Sequence, residues 1–437
     1  MFRTIRKCLL VGLCFIGPGH NSPAQAVDWP QWHGPNRDGK SPETGLLKEW
    51  PQAGPKLLWE LTGCGIGYSS IAIADGKLYT MGDLPAKGQT ADSQRSKKVQ
   101  YVIAYNLATQ QELWAAEVGP PHDDGPRCTP TINDGLVYAI GTDGDLVCLH
   151  AKTGQVRWRK NLQSDFGGKN PQWKYSESPL IDGDKLLCTP GGREAVIVAL
   201  NKKTGELIWK CSMPDIGPKG KDEAGYSSIV ITEAPGIRQY VQLTNKGLIG
   251  VAAKDGEFLW GYNSIANRTA NIPTSVVHEE YVFCSTSYNT GSALLKLDAA
   301  ENGVDAEEVY FLDARTFQNH HGGFVRVGDY IYGGHDHGKG KPTCIEMKTG
   351  KVMWQQDQPG GGSAAVLYAD GHLYFRYQNN LMALIEANPQ RYNLKSTFKL
   401  PKREGMSGPG WAHPVIADGR LYIRHADVLL CYDIAGS

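Results

Sequence analysis

The sequence has few long apolar runs and no concentrated block of basic residues. Its 437 residues include 45 Lys and Arg and 45 Asp and Glu, which are spread along the chain. Phosphate binding needs a concentrated positive field, so we expect no nucleic acid partner. The apolar run 8–17 is too short to cross a membrane, and no other segment is apolar over a sufficient length. We therefore expect no transmembrane segment in the mature chain.

Motifs for nucleophilic catalysis and phosphate binding are also missing. The sequence has no Gly-x-Ser-x-Gly elbow, and the glycines 360–362 are not followed by the Lys-Ser/Thr pair of a phosphate loop. No catalytic residue is predicted from these motifs.

The first 26 residues have the features of a secretory signal peptide. A basic start (Arg3, Arg6, Lys7) precedes the apolar run, and 24–26 form a small-x-small cleavage site. An uncleaved anchor is the alternative. We expect an exported protein in the periplasm or associated with the cell envelope.

What the chain does have is a repeat. Aromatic residues close a strand-like segment every 44 to 55 residues. Each unit contains an Asp-Gly pair or its equivalent between apolar segments, which is a tight-hairpin signal. This period, with several short strands per unit, is typical of a β-propeller whose aromatic anchors wedge between blades. The anchors are Trp59, Trp114, Trp158, Trp209, Trp260, Tyr310, Trp354 and Phe398.

The two ends of the repeat complete each other. Segment 56–61 looks like the last strand of a unit, and 413–432 supplies the first strands of a unit that has no closing aromatic. We predict an all-β fold, an eight-bladed propeller of four-stranded blades over 56–437, closed by an N-terminal strand that completes the C-terminal blade. Residues 27–55 are predicted to be an ordered extension packing on the propeller, because their three Trp residues would be costly to leave in water.

Ten cysteines in an exported protein suggest disulfides, but the repeat explains three of them differently. Cys148, Cys344 and Cys431 fill a strand position that is small in other units, including Ala383, where cysteine serves as a small hydrophobe. Lys296 would fill this position in the Tyr310 unit and reach an edge. Pairing stays open among Cys64, Cys128, Cys188, Cys211 and Cys284.

The segment from Ala151 to Trp158, and loosely 347–354, resembles the tryptophan-docking repeats of PQQ-type eight-bladed propellers. That family includes quinoprotein alcohol dehydrogenases and BamB outer-membrane assembly lipoproteins. The opening 29–39, followed by 41–47, is similar to the start of exported PQQ-like repeat proteins. The resemblance covers essentially the whole mature chain, and it is specific for fold only, since one fold hosts many functions.

For the dehydrogenases, the resemblance implies adjacent cysteines over the quinone, a calcium held by acidic and amide side chains, and an aspartate base. This chain has no Cys-Cys pair, and no position matches the calcium ligands or the aspartate motif. The BamB branch fits the size better, although its lipid-anchor cysteine is missing. We predict no certain cofactor; PQQ with calcium belongs to the alternative function.

In a propeller, functional groups gather where the inner strands open on the central funnel. Aligning the units by their Asp-Gly turns places aromatic, cationic and acidic residues there. Such a ring suits a flat or anionic ligand through stacking and charge-assisted hydrogen bonds, and a water-filled polar channel is the alternative. The predicted ligand-binding residues are Tyr68, Arg127, Tyr175, Glu177, Tyr226, His321, Trp411 and His413.

Histidines concentrate in 320–321 and 335–337. Imidazoles with a carboxylate could bind a transition metal. The two clusters are expected at opposite ends of the first two strands of one blade, which argues against a shared site. We predict no metal site.

Together these features predict a monomeric, non-catalytic binding or scaffold protein of the cell envelope. Its partner would be an envelope protein or a small ligand at the funnel face. The alternative is a quinoprotein alcohol dehydrogenase-like oxidoreductase with a divergent site. Metal-dependent hydrolysis at the funnel has only the histidines in its favour.

Overall fold

The computed structural model describes residues 28–86, 98–301 and 303–436, which form eight β-sheets in a ring. The secondary structure of these ranges is entirely β, and they contain no helix that could span a membrane. The predicted fold class, an all-β eight-bladed propeller, is confirmed. The predicted signal peptide, 1–26, lies outside the described residues.

Each blade contains four antiparallel strands, and the first of them lies nearest the central channel. In blades 1 to 4 the strands are β3 (Ala72–Ala74), β4 (Lys77–Pro85), β5 (Lys98–Asn106), β6 (Glu112–Gly119); β7 (Thr131–Asn133), β8 (Leu136–Ile140), β9 (Asp145–His150), β10 (Val156–Asn161); β11 (Leu180–Asp182), β12 (Lys185–Cys188), β13 (Ile197–Asn201), β14 (Leu207–Cys211); and β15 (Val230–Thr232), β16 (Gln239–Thr244), β17 (Gly247–Ala252), β18 (Phe258–Tyr262).

The other four blades follow the same order, except that the N-terminal segment adds a strand to each of the last two. Their strands are β19 (Val276–His278), β20 (Tyr281–Thr286), β21 (Gly291–Ala300), β22 (Gly303–Asp313); β23 (Phe324–Val327), β24 (Tyr330–His335), β25 (Lys341–Glu346), β26 (Val352–Gln355); β27 (Ala364–Ala369), β28 (His372–Tyr377), β29 (Leu381–Glu386), β30 (Leu394–Lys399), with β1 (Lys40–Ser41); and β31 (Val415–Ala417), β32 (Arg420–His425), β33 (Val428–Asp433), with β2 (Lys56–Leu61).

The ring is closed by strand β2. It pairs antiparallel with β33 and places Trp59 opposite Cys431, which confirms the predicted closure of the C-terminal blade. This pairing makes β2 the outermost strand of blade 8 and joins the N-terminal segment to the last blade, which closes the ring.

The Asp-Gly pairs form the hairpins between the first two strands of their blades. Asp134 and Gly135, for example, have φ of 48° and 71°. Both central residues of a tight hairpin with right-handed strand twist need positive φ, which Asp tolerates and Gly adopts freely. These turns lie together at one end of the channel, here called the turn end; the opposite end, where the inner strands begin, is called the mouth.

The anchor tryptophans lie between neighbouring blades, as the repeat predicted. Trp158 of blade 2 donates its Nε1–H to Lys202 O of blade 3 at 3.0 Å. Its indole packs against Gly205, where a Cβ would come within 2.8 Å of the ring. Trp114 makes the same contact with Ala151 O of blade 2, at 3.1 Å. Gly154 and Gly205 of the Thr-Gly turns thus make room for the tryptophan of the preceding blade, and Gly350 makes room for Tyr310 in the same way.

The cysteines of the described residues are all unpaired and buried. Cys148 lies directly opposite Trp158, as a small residue at this position should. Burial raises the pKa of Cys148 to about 12, so the group is an uncharged, unreactive thiol. Cys344 and Cys431 take the same place opposite Trp354 and Trp59.

Two predicted strand registers are wrong. Leu294, and not Lys296, lies opposite Tyr310, because β21 is longer than its counterparts. Lys296 instead forms an ion pair with Asp298 at 2.6 Å on the edge of the blade. In blade 7, Phe398 pairs with Met382 instead of placing Ala383 in the small-residue position.

Trp50 of the extension takes the place of the missing tryptophan in blade 7. Its ring lies 5.8 Å from Tyr374, close to the 6.3 Å between Trp158 and the equivalent Tyr138. Phe398 packs edge-on against it at 5.0 Å. Only 3% of Trp50 is exposed, so the extension completes the contact between blades 7 and 8.

Before reaching blade 7, the extension crosses the channel. Trp29 bridges to Ile73 of blade 1, and Pro30 O accepts a hydrogen bond from Ile132 N of blade 2. Strand β1 then pairs parallel with β27 on the far side. The segment therefore lies across the channel and narrows it from the turn end.

Glycines shape the turn 31–38 inside the channel. A Cβ on Gly34 would meet the Trp29 ring at 3.0 Å, and one on Gly39 would meet Val325 at 2.8 Å. Arg37 lies between these glycines and donates from both Nη groups to Ser178 O and Pro179 O of blade 3. The motif from Trp29 to Gly39 is thus an insert fitted to the inner strands.

Candidate functional site

The mouth opens into a cavity of about 340 Å³, within the size range of small-molecule sites. Trp32 and His33 of the extension are among its lining residues and form its floor. Trp32 Nε1 donates to Thr274 Oγ1 at 3.2 Å, which fixes the floor to blade 5. Of the residues predicted from the sequence, those that line this cavity are Tyr68, Arg127, Tyr226, His321, Trp411 and His413.

Tyr175 and Glu177 lie behind the wall of the cavity, Tyr175 between blades 2 and 3 and Glu177 against blade 3. Tyr175 donates its hydroxyl hydrogen to Pro190 O at 2.9 Å. The Glu177 carboxyl group meets Thr189, with 2.7 Å to the backbone nitrogen and 2.9 Å to Oγ1. Burial raises the pKa of Glu177 to about 8, against the opposing effects of Thr189 and Arg37. Ser176, between them in sequence, is the residue that reaches the cavity.

Aromatic side chains form two walls. Tyr68 and Trp411 lie 4.9 Å apart, and Trp173 and Tyr226 lie 6.0 Å apart. The Trp411 indole is oriented by a 2.9 Å hydrogen bond from Nε1 to Gln378 Oε1. Such faces can stack on a flat ligand.

The two histidine clusters meet at the mouth. The rings of His320 and His337 are 4.1 Å apart, and both line the cavity together with Tyr288. The expectation that the clusters lie apart is wrong, because β23 and β24 form a hairpin. In a hairpin, the start of the first strand and the end of the second are neighbours. Within the described ranges, however, no three His, Cys, Asp or Glu side chains are grouped closely enough to hold a metal ion.

Burial keeps most histidines that line the cavity neutral. It lowers the pKa of His413 to about 4 and that of His320 to about 3, and holds the pKa values of His33 and His321 well below the usual range. The rings are tied into local hydrogen bonds, such as His320 Nδ1 to Ser363 Oγ at 2.8 Å. A neutral imidazole presents one donor and one acceptor, so the mouth is polar but weakly charged.

Two buried nitrogens in the cavity wall lack partners. Arg127 Nη2 pairs with both carboxylate oxygens of Asp124, at 2.8 and 3.0 Å. Arg127 Nη1 and His321 Nδ1 are buried and have no hydrogen-bond partner among the described residues. Leaving such groups unpaired costs about 1 to 3 kcal/mol each, so a small side-chain shift that brought a ligand atom within hydrogen-bond distance would stabilise the wall.

The lining residues do not fit the calcium ion and the adjacent cysteines that the resemblance implies beside PQQ. Asp124 is the one carboxylate among the described lining residues, and Arg127 and His122 already occupy it. Buried cysteines are held within the blades, and none described lines the cavity. The donor set is imidazole and aromatic hydroxyl, which a hard cation such as calcium does not prefer.

Several lining residues were missed in the sequence. Trp32 and His33 belong to a non-repeating segment, and Tyr288 and His337 follow second strands instead of preceding first strands. The signal that could have found His337 is the hairpin itself, since it returns the chain to the mouth.

Comparison with known proteins identifies the family. The model of the family described as outer membrane protein assembly factor BamB matches residues 98–356, more than half of the chain. The BamB of Shewanella oneidensis is 21% identical over 292 residues, covering 64% of this chain and 66% of that protein. The quinoprotein ethanol dehydrogenase of Pseudomonas aeruginosa is 30% identical over 158 residues, covering 36% of this chain. That match spans 24%, about a quarter, of the dehydrogenase.

Solved structures agree on the fold. BamB from Moraxella catarrhalis superposes with a TM-score of 0.58 at 14% identity, covering 87% of this chain and 100% of that one. The quinohemoprotein alcohol dehydrogenase of Comamonas testosteroni gives 0.62 at 11% identity, covering 94% and 81%. At these identities the structures show the propeller fold alone. On the family match, this chain belongs to the BamB family of PQQ-like propellers.

Proposed function

We propose that this protein is a non-catalytic binding protein of the cell envelope whose mouth cavity holds a small, flat ligand bearing a carboxylate or similar oxygen group. The observation that carries the proposal is that Arg127 and His321, which line a cavity with aromatic walls, each keep a buried nitrogen without a hydrogen-bond partner among the described residues.

The chemistry of the wall selects this ligand class. A ring stacked on Trp411 or Tyr68 would place an oxygen within reach of Arg127, whose guanidinium lies 5.6 Å from the centre of the Tyr68 ring. Hydrogen bonds to a charged group are about twice as strong as neutral ones. Neutral histidines then supply directional contacts without attracting every anion.

The family supports an envelope role. The matching family model is described as an outer membrane protein assembly factor. We infer that the leader 1–26 directs export. The mature protein would then consist of the extension 27–55 and the propeller 56–437. An envelope protein bound over the mouth is the second candidate, because the loops that surround the cavity form one face of the ring.

The test is calorimetric titration of the mature protein with flat carboxylates. PQQ and benzene-1,3,5-tricarboxylate serve as probes, each with and without calcium. We expect calcium-independent binding that Arg127→Met weakens at least tenfold, while Arg403→Met on the outer surface, where Arg403 pairs with Glu60, leaves it unchanged.

If neither probe binds, the small-ligand proposal is rejected. The mouth would then remain as a surface for a protein partner. Binding of PQQ that requires calcium would instead favour the quinoprotein oxidoreductase, and assays with alcohols and a dye acceptor would follow.

A further inference from the structure

Two arginines occupy equivalent positions in blades 7 and 8. The segment from Leu373 to Arg376 in β28 reads Leu-Tyr-Phe-Arg, and that from Leu421 to Arg424 in β32 reads Leu-Tyr-Ile-Arg. Both arginine side chains are completely buried, with 0% and 1% of their surface exposed. They therefore form a matched pair within one molecule.

Arg424 is fully surrounded by acceptors. Its Nε donates to Ala426 O at 3.0 Å, and its Nη2 donates to Cys64 O and Gly65 O, each at 3.0 Å. Nη1 donates to Ser69 O, Thr80 Oγ1 and Met81 O. Every face of this guanidinium is thus satisfied by blade 1 and by its own blade.

Arg376 has no such cage. Its Nη1 donates to Ala412 O, but Nε and Nη2 are buried without any hydrogen-bond partner in the described parts of the chain. No carboxylate of those residues lies within ion-pair distance of it. Nε–H and one Nη2–H point in the same direction and form the fork with which arginine binds anions.

The charge around Arg376 is also unbalanced. Burial lowers its pKa to about 9, and Arg424 adds to the effect, yet the group remains protonated at neutral pH. The other ionisable groups that sense its charge are His413 and His425, which are basic. A buried cation needs a counter-charge or full hydrogen bonding, and the described residues provide neither.

We propose that the Nε–Nη2 fork of Arg376 binds a small inorganic anion of the halide class between blades 7 and 8. The space is narrow, since Nη2 lies 3.1 Å from the position that a Cβ on Gly410 would take. Arg376 does not line the mouth cavity, so the space at its fork limits the ligand to the size of a single-atom ion and excludes a phosphate ester.

The site lies directly behind the mouth cavity and is separate from it. Arg376 Nη1 holds the carbonyl of Ala412, which stands between Trp411 and His413 in the cavity wall. The anion would therefore stabilise the junction of blades 7 and 8 and the loop 410–413. It would do so whether or not the mouth binds a flat ligand.

The direct test is anomalous diffraction from crystals of the wild-type protein grown in sodium bromide. We expect a bromide peak within hydrogen-bond distance of Arg376 Nε and Nη2, and none beside Arg424. This measurement uses the wild-type protein and needs no substitution. An ordered water, or a protein oxygen, at the fork with no anomalous peak would overturn the proposal.

Thermal unfolding provides the second test. Sodium chloride should raise Tm saturably by about 1 to 2 °C relative to sodium gluconate at equal ionic strength. Arg376→Met should remove this difference, and Arg403→Met should keep it. A bromide peak without saturable stabilisation would mark an adventitious ion only, and would also reject the site.

Discussion

The two ends of the central channel are built differently. At the turn end, the extension is fixed by paired charges and covered tryptophans, with Lys48 bound to Asp370 at 2.5 Å and Trp50 buried against Phe398. At the mouth, Arg127 and His321 keep buried nitrogens without partners in the described chain. Unpaired polar groups reduce stability wherever they lie, and Trp50 Nε1 is also buried without a partner in the described chain. What distinguishes the mouth is that Arg127 and His321 line an open cavity, whereas Trp50 is packed between blades and lines no part of it.

The largest effect should come from the turn end. Trp50→Ala removes a nearly fully buried indole that serves blade 7, and we expect a loss of about 3 to 5 kcal/mol in the free energy of unfolding. Urea denaturation measures it. Trp173→Ala at the mouth is the matched control, because Trp173 is only half-buried and should cost far less. Equal losses in the two variants would contradict the difference between the ends.

Glu177 should make the free energy of unfolding decrease as the pH rises. Its pKa is raised to about 8 in the folded chain from an ordinary 4.5, so between these values the folded state holds a proton that the unfolded state has lost. Stability should therefore fall as pH rises from 4.5 through 8, by roughly 3 kcal/mol between pH 4.5 and 7.

Replacing Glu177 by Gln should remove most of this loss of stability between pH 4.5 and 8. The dependence of stability on pH below 4.5 should not change. Unfolding midpoints of both proteins from pH 5 to 8.5 measure the effect. Parallel curves for wild type and Glu177→Gln would show that the carboxyl group is ionised in the folded chain.

The histidines of the mouth should give the opposite slope at lower pH. His413 has a pKa of about 4 when folded, against 6.5 unfolded, so the unfolded state binds more protons in this window. Stability should fall as pH drops from 6.5, by roughly 2 kcal/mol by pH 5 for this group alone. His413→Gln should reduce the slope in a denaturant titration, and an unchanged slope would assign it to other groups.

The smallest change in stability belongs to Arg127. Because one of its nitrogens has no partner within the described residues, Arg127→Met should alter the free energy of unfolding by less than about 1 kcal/mol. Binding of a flat carboxylate should weaken at least tenfold in the same protein. A large destabilisation without a change in affinity would make Arg127 a structural residue of the mouth.

The fold could be predicted because its signals are local. Asp134-Gly135 specifies a hairpin, Thr204-Gly205 specifies the turn that receives Trp158, and each repeats with nearly constant spacing. Seven continuous units and one blade split between the two ends leave few other arrangements. No long-range information was needed for these elements.

The candidate site was less predictable because it depends on contacts that no period describes. Trp50 docks on blade 7 from a segment without a repeat, so its partner could not be read from spacing. Tyr175 occupies the aligned position, yet Lys174 has φ of 68° and the ring packs against Gly144 of blade 2 instead of facing the mouth. Aligning the units by their Asp-Gly turns identified the start of each inner strand as the part near the cavity. The local turn at that point decides which side chain reaches the cavity.

The extension also sets a condition on how the chain folds. Lys40 and Ser41 pair with Tyr368 and Ala369, and Trp50 docks beside Phe398, so residues synthesised early find their partners only when the chain is nearly complete. Contacts this distant in sequence slow folding and leave strand edges exposed until they form. We expect the ring to close in a late, cooperative step, with blades 7 and 8 as the last to acquire native packing.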